Sequence, residues 1–356
     1  MTPMLSPANV RANLLVKLGQ LTGKTHALPL VMFSPTARCN SRCVSCDWWR
    51  ADGAGDLSLA EIASLAAELP RFGTRVVVLT GGEPLVRSDV MEIADLFRAR
   101  GMTLQLLTSG LALGRHADDI AARFQTVTVS LDGHTPELYR QIRGVDGLGA
   151  VTEGVRKLRA RAPQVGVWAR STLHRHNFRH LPDLVAKSRE MGLDQISFLA
   201  ADVSSDAFNR QPSLPQVADD ADSPTRLLLN ADEADQFEAI VEATIRTHAR
   251  DFEEGRIAPD PDGLRRLVRY YRAHLGQGGF VAPMCNAPWA SVFIEADGAV
   301  RPCFFHPPVG NLRERSLADL LGAAMPAFRD TLDVATNPTC VRCVCALNVG
   351  LRSKLW

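Results

Sequence analysis

The sequence predicts an α/β fold built around a parallel sheet. Three observations point there: short apolar runs of strand length, an amphipathic helical stretch between each run and the next, and glycine or cysteine motifs placed just past the runs. Repeats of this kind make either an open doubly wound sheet or a partial barrel, and both carry their chemistry at the carboxyl ends of the strands.

The expected strands are Leu30–Phe33, Arg75–Thr80, Thr103–Leu107, Thr126–Leu131, Val165–Leu173 and Gln195–Leu199. Between the first two, Ser58 and Glu61 make a capping box ahead of Ile62, Leu65 and Leu69 on one helical face. Later connections repeat the pattern with Ile93, Leu96 and Phe97, with Val151, Val155 and Leu158, and with Leu184, Val185 and Met191. Ahead of the first strand, Val10, Leu14, Leu15, Leu18 and Leu21 predict a short packing helix. Residues 202–230 break the rhythm with Pro212, Pro215 and the acidic Asp219-Asp220-Ala221-Asp222, a long polar loop of the kind that serves as lid, substrate loop or linker. Two helices follow, the second carrying Arg265, Arg266, Arg269 and Arg272 on an expected solvated face. Asp297-Gly298 then signals a hairpin between Ser291–Glu295 and Ala299–Cys303.

The chain has 356 residues, enough for a main domain and a smaller unit, with 46% hydrophobic and 22% charged residues, as in ordinary globular proteins. A net charge of +1 gives no field for holding nucleic acid or an anionic membrane, so neither is an expected partner. No apolar run is long enough to span a bilayer and the first residues lack a secretory signal pattern, so the expected location is cytoplasmic. In a reducing compartment, eight cysteines in tight groups read as metal ligands or catalytic thiols rather than disulfides.

The first group, Cys39-Asn-Ser-Arg-Cys43-Val-Ser-Cys46, follows the first strand directly. Three soft thiolates within eight residues can converge on one centre. A structural zinc wants four protein ligands, and no fourth Cys or His lies near this loop, whereas an iron–sulfur cluster held by three cysteines keeps one iron open for a ligand. The second strand runs into Gly81-Gly82-Glu83-Pro84, where paired glycines let a ligand approach the backbone. The third ends in Thr108-Ser109-Gly110, and the fourth in Ser130-Leu131-Asp132, with Ser130 and Asp132 on one side of the strand. Each of these alone reads equally as a turn or a helix cap. Arg170 lies in an otherwise apolar fifth strand, and an inward guanidinium there calls for an anionic partner. His174 and His176 read as polar loop residues.

Taken together, these motifs resemble the radical S-adenosylmethionine (radical SAM) superfamily, whose CxxxCxxC signature follows the first barrel strand. The resemblance implies a partial (β/α)6 TIM-type barrel with a 4Fe–4S cluster on Cys39, Cys43 and Cys46, the catalytic centre, whose open iron chelates the amino and carboxylate groups of SAM. It implies that Gly81, Gly82, Glu83 and Pro84 hold the SAM amino group, that Ser109 stands where the family has Asn, that Ser130 and Asp132 face ribose and methionine, and that Arg170 meets the carboxylate. One position departs: Ser45 stands where the family often has an aromatic residue near the adenine, with Trp48 and Trp49 as neighbouring substitutes.

The carboxyl-terminal third holds Cys285, Gly298 followed by Cys303, then Cys340, Cys343 and Cys345. This pattern suits a tetrahedral zinc site as well as a cluster. It is similar to the auxiliary-cluster domains called SPASM, or twitch when shortened to one cluster. The full version uses seven cysteines and five occur here, which implies one auxiliary 4Fe–4S cluster on Cys285, Cys303, Cys340 and Cys343, with Cys345 as the spare or substitute. The domain limits that follow are 1–28 for a helical extension, 29–202 for the barrel, 203–280 for a polar loop and helical linker, and 281–356 for the auxiliary domain. The expected function is an oxidoreductase that cleaves SAM to a 5′-deoxyadenosyl radical and abstracts hydrogen, the auxiliary cluster accepting an electron. The favoured substrate is a small hydroxylated molecule and the alternative a peptide or protein side chain. An electron donor such as flavodoxin or ferredoxin is implied. A non-catalytic metal-binding or electron-carrier protein is the reading from another class; it explains the cysteines but not the strand-end motifs.

Overall fold

The structure is a computed structural model describing residues 7–210, 224–351 and 353. The expected strands form where the apolar runs lie: β1 Leu30–Phe33, β2 Val76–Leu79, β3 Thr103–Thr108, β4 Thr126–Ser130, β5 Gly166–Leu173 and β6 Gln195–Ala200. The helices between them are α2 Leu59–Glu68, α3 Val90–Arg98, α4 Ala117–Arg123, α5 Pro136–Arg143, α6 Leu148–Arg161 and α7 Leu181–Glu190, preceded by α1 Pro7–Thr22. The capping box of α2 forms as expected: Glu61 N–H donates to Ser58 Oγ and Ser58 N–H to the Glu61 carboxylate at 2.7 Å.

Neighbouring strands β1 to β6 are parallel and in sequence order. On β5 and β6 every second residue is fully buried under the helices, which leaves Trp168, Arg170, Thr172, Gln195, Ser197 and Leu199 on the other, inner face. A short β7, Ile257–Ala258, extends the β6 edge after α8 Ala231–Thr247 and α9 Ala249–Glu253; α10 Pro261–His274 then packs on α8. Tyr270 and Tyr271 of α10 pin the strand ends by donating to the carbonyls of Ala201 and Leu173.

At the other edge, β8 Ser291–Ile294 pairs in parallel with β1, register Leu30 to Ser291, and turns through Gly298 into antiparallel β9 Ala299–Arg301 and β10 Gly310–Asn311. The hairpin expected from Asp297-Gly298 therefore continues the barrel sheet. The strand order runs from β10 at one end to β7 at the other, so the barrel is partial, with an open side between those ends.

Three local expectations change. Helix α1 turns Leu14, Leu18 and Leu21 outward and buries Ala12, Asn13 and Val16 instead; Asn13 donates to the carbonyls of Leu351 and Ser353, so small residues and an amide set its packing face. Two of the four α10 arginines face acidic partners on α8: Arg265 pairs with Glu242, and Arg272 with Asp235 and Glu238. The start of the polar loop is packed rather than open, with Asp202 and Ala207 buried; Pro212, Pro215 and the Asp219–Asp222 cluster lie outside the described residues.

Candidate active site

The loop carrying Cys39, Cys43 and Cys46 is held from both sides by backbone. On one side Glu83 N–H donates to Arg38 O at 2.8 Å and Gly82 N–H to Thr36 O at 3.3 Å. On the other, Arg42 N–H donates to Arg143 O at 2.8 Å and Val44 N–H to Ile142 O at 3.0 Å, at the end of α5. Two glycines make this closeness possible. A Cβ on Gly82 would sit 2.2 Å from Arg38 O, and one on Gly144, which has φ +70°, would sit 2.4 Å from Arg42 O.

The motifs at the strand ends converge on this loop. Glu83 is fully buried; its carboxylate accepts from Leu85 N–H at 3.1 Å, Thr108 Oγ1–H at 2.7 Å and Ser109 N–H at 2.5 Å. It thus ties the Gly-Gly-Glu-Pro turn to the end of β3. Ser109 Oγ reaches Asn40 Oδ1, inside the cysteine loop, at 3.1 Å. Asp132 is likewise buried and doubly engaged, accepting from Thr172 N–H at 2.7 Å and from Arg143 Nη1 at 3.1 Å. Ser130 and Arg170 are register partners on β4 and β5 and share the inner face. Arg170 Nε donates to Ser197 Oγ at 3.3 Å, and among the described residues no carboxylate pairs with its guanidinium. That donor set fits an anionic ligand.

Burial raises the thiols of this loop: Cys39 to about 11, with Cys43 and Cys46 also shifted upward. Thiols so buried stay protonated unless a cation takes them as thiolates, which is what a metal centre does. Arg143 supplies a fixed positive charge beside them. Burial would lower its pKa, but the neighbouring Cys43 and Asp132 carry it well up. The residue escaped the sequence reading because an Arg before Gly144 looks like an ordinary helix end.

The second group assembles from three places. Cys285 precedes β8, Cys303 follows β9, and Cys340 and Cys343 lie on the turn begun by Pro338. Cys303 lies close enough to feel the charge of Cys285 and Cys340, and Cys343 that of Cys345, Cys303 and Cys285. Burial raises Cys303 to about 12 and Cys340 to about 11. Sequence reasoning missed His306, whose Nε2 lies 3.3 Å from Cys340 Sγ, and Arg266, which donates to Cys343 O at 2.9 Å. Among the described residues the ligand atoms of His134, His180 and Asp183 lie within 4.8 Å of one another, with Asp183 exposed. Trp48 is buried beside Cys46, and the Trp49 ring lies under the Arg50 guanidinium; the backbone carbonyl of Phe208 also reaches this loop, accepting from Asp47 N–H at 3.0 Å.

A partial barrel with three converging thiols at its strand ends and four more at the sheet's other margin defines an iron–sulfur enzyme. The profile of the Radical SAM superfamily matches residues 33–188, and that of the SPASM iron–sulfur cluster-binding domain matches residues 285–344. The chain belongs to the radical SAM superfamily, with a SPASM domain at its carboxyl end. It is an enzyme whose cofactors are a 4Fe–4S cluster and SAM, together with auxiliary iron–sulfur binding in the SPASM domain.

Among relatives, a probable GTP 3′,8-cyclase of Thermococcus kodakarensis is 41% identical over 125 residues, which are 34% of this chain and 41% of that protein. The chain thus spans well under half the length of this relative. The Fe-coproporphyrin III synthase of Methanosarcina barkeri is 26% identical over 359 aligned residues, covering 92% of this chain and 84% of that protein. Streptococcus suis SuiB bound to S-adenosylmethionine shares the fold, with a TM-score of 0.64 at 14% identity, over 95% of this chain and 77% of SuiB. No helix among the described residues is long and apolar enough to cross a membrane.

Proposed function

We propose that the enzyme removes hydrogen from a substrate held against the inner face of the barrel, between the two cysteine groups. When bound, the first cluster supplies the electron that splits SAM into methionine and a 5′-deoxyadenosyl radical, and a single auxiliary cluster supplies a place for the electron the substrate releases. Cys39, Cys43 and Cys46 would hold the first cluster, and Cys285, Cys303, Cys340 and Cys343 the second. The chain's own contribution is placement: Gly82 and Gly144 let the cysteine loop seat, Glu83 and Asp132 lock the strand ends around it, and Arg170 offers its guanidinium to the SAM carboxylate. The observation that carries this reading is Arg170, inward-facing, beside Ser130 and without a carboxylate partner among the described residues. An external donor such as flavodoxin or ferredoxin would reduce the first cluster.

The test is anaerobic reconstitution with iron and sulfide, then SAM and dithionite. 5′-Deoxyadenosine is expected, none from Cys43→Ala, and SAM binding weakened roughly tenfold to a hundredfold in Arg170→Gln, the worth of a charge-assisted hydrogen bond. SAM left intact by the wild type, or bound equally by the Arg170 variant, would refute the reading.

For the substrate, a single auxiliary centre supports a small hydroxylated molecule. A second reading has a specific observation behind it: the relative aligned over nearly the whole chain is named for making Fe-coproporphyrin III, a macrocycle with apolar faces, and the half-buried rings of Phe208 and Phe304 offer an apolar surface. Substrate-dependent 5′-deoxyadenosine formation with a polyol panel against carboxylated iron porphyrins separates the two.

A further inference from the structure

Among the described residues only Phe208 and Asn209 adopt left-handed backbone without being glycine, with φ of 66° and 60°. Side chains disfavour this conformation, and it persists only where the surroundings hold it in place, often at functional sites. Here the surroundings are the first cysteine loop. Phe208 O accepts from Asp47 N–H at 3.0 Å and lies 3.8 Å from Cys46 Sγ. Asn209 Nδ2 donates to Asp47 O at 3.4 Å, and Arg210 donates to Ser45 O at 2.7 Å. Arg210 is itself anchored by Asp202, at 2.9 Å, with both side chains nearly inaccessible to water.

The other end of the same residue reaches the second cysteine group. The Phe208 ring meets Phe304 edge-on at 4.9 Å and Phe305 at 6.2 Å, the two residues directly after Cys303. Asp206 pairs with Arg301 of β9 at 3.4 Å. The segment that leaves β6 at residue 202 therefore crosses the open side of the barrel to the hairpin at the far end of the sheet. Phe208 touches both cysteine-bearing loops, its carbonyl on one and its ring on the other.

We propose that Phe208 is a positioning residue shared by both centres. Its ring closes the open side of the barrel and holds the Cys303 loop against the Cys46 loop, and its strained backbone is kept because that geometry serves both contacts at once. The inference rests on the reading that each cysteine group holds an iron–sulfur cluster.

Two substitutions separate ring from backbone. Phe208→Gly keeps the carbonyl, relieves the left-handed strain and deletes the ring; Phe208→Tyr keeps the ring. In reconstituted, reduced protein challenged with a ferrous chelator, Phe208→Gly should release iron about tenfold faster, the effect on local opening of losing its two aromatic edge contacts. Phe208→Tyr should match the wild type. Phe237→Leu, which loses ring contacts with Phe178 and Tyr271 away from either cysteine group, controls for general destabilisation. Iron release from Phe208→Gly no faster than from the wild type, or no faster than from Phe237→Leu, overturns the inference while leaving the clusters established. A wild-type protein that binds no iron sinks both this inference and the function proposed above.

Discussion

Replacing Gly82 with alanine is the sharpest probe of how the first cysteine loop is seated. The new Cβ would lie 2.2 Å from Arg38 O, 2.7 Å from Ala37 O and 2.8 Å from Arg38 C, where real Cβ contacts essentially never fall below 3.0 Å. All three contacts are backbone, so no side chain can swing aside, and the loop must retreat by at least about 0.8 Å. That retreat pulls on the hydrogen bond from Glu83 N–H to Arg38 O and moves Cys39, the next residue along. Overpacking of this kind costs about 1–3 kcal/mol, a modest fall in Tm. Misplacement near 1 Å at a reacting centre costs up to ~100-fold in rate, so SAM cleavage should fall far more than stability does. The assay pairs thermal unfolding with 5′-deoxyadenosine formation per iron. Gly149→Ala is the control: its Cβ would meet nothing within 4 Å on helix α6, and it should stabilise by about 0.5–1 kcal/mol with unchanged cleavage. Wild-type iron content and cleavage rate in Gly82→Ala would refute the claim that the glycine pair exists to seat the loop.

Three further outcomes are expected. Asp132→Asn leaves the buried Arg143 guanidinium without its carboxylate and should destabilise by about 3–5 kcal/mol in urea; an unshifted midpoint would show the pair to be dispensable. Cys343→Ser should lose the auxiliary iron while Cys345→Ser keeps it, read as iron per chain and by electron paramagnetic resonance, and the reverse result would reassign the ligand. Burial holds the His174 imidazole neutral down to about 3, against an ordinary 6.5. The unfolded chain then binds more protons between those values, so His174 contributes its full stability above about pH 6.5 and loses up to ~1.4 kcal/mol per unit as the pH falls toward 3. His174→Asn should flatten that acid limb in urea titrations, and an unchanged slope would refute the assignment.

Much of the barrel was legible because strand-length apolar runs and helical periodicity are local signals. Val76–Leu79 can hardly be anything but a buried strand. The two-residue β7 and β10 carry no such signal and exist through pairing alone. The parallel partnership of β1 with β8 joins positions more than 250 residues apart, which no local pattern encodes. At the site, the cysteines, the glycine pair and Glu83 stood out because their spacing is unusual. Glu83 and Asp132 nonetheless spend their carboxylates on backbone, hydroxyl and arginine donors within the protein, a structural duty invisible in a motif. Arg143, His306 and Phe208 were missed since each acts from a distant segment; Gly144, fixed at φ +70° against Arg42, was the one local hint of the first.

Because β1 is hydrogen-bonded on one side to β2 and on the other to β8, the amino-terminal and carboxyl-terminal modules have one hydrophobic seam in common. Cutting the chain ahead of β8 would strip Leu30–Phe33 of a neighbour and leave a wholly apolar strand at a raw margin, the kind of surface that recruits other chains. Attempts to express the barrel alone should therefore yield aggregates, and the auxiliary module is as much a structural closure for the first cluster's scaffold as a redox appendage to it.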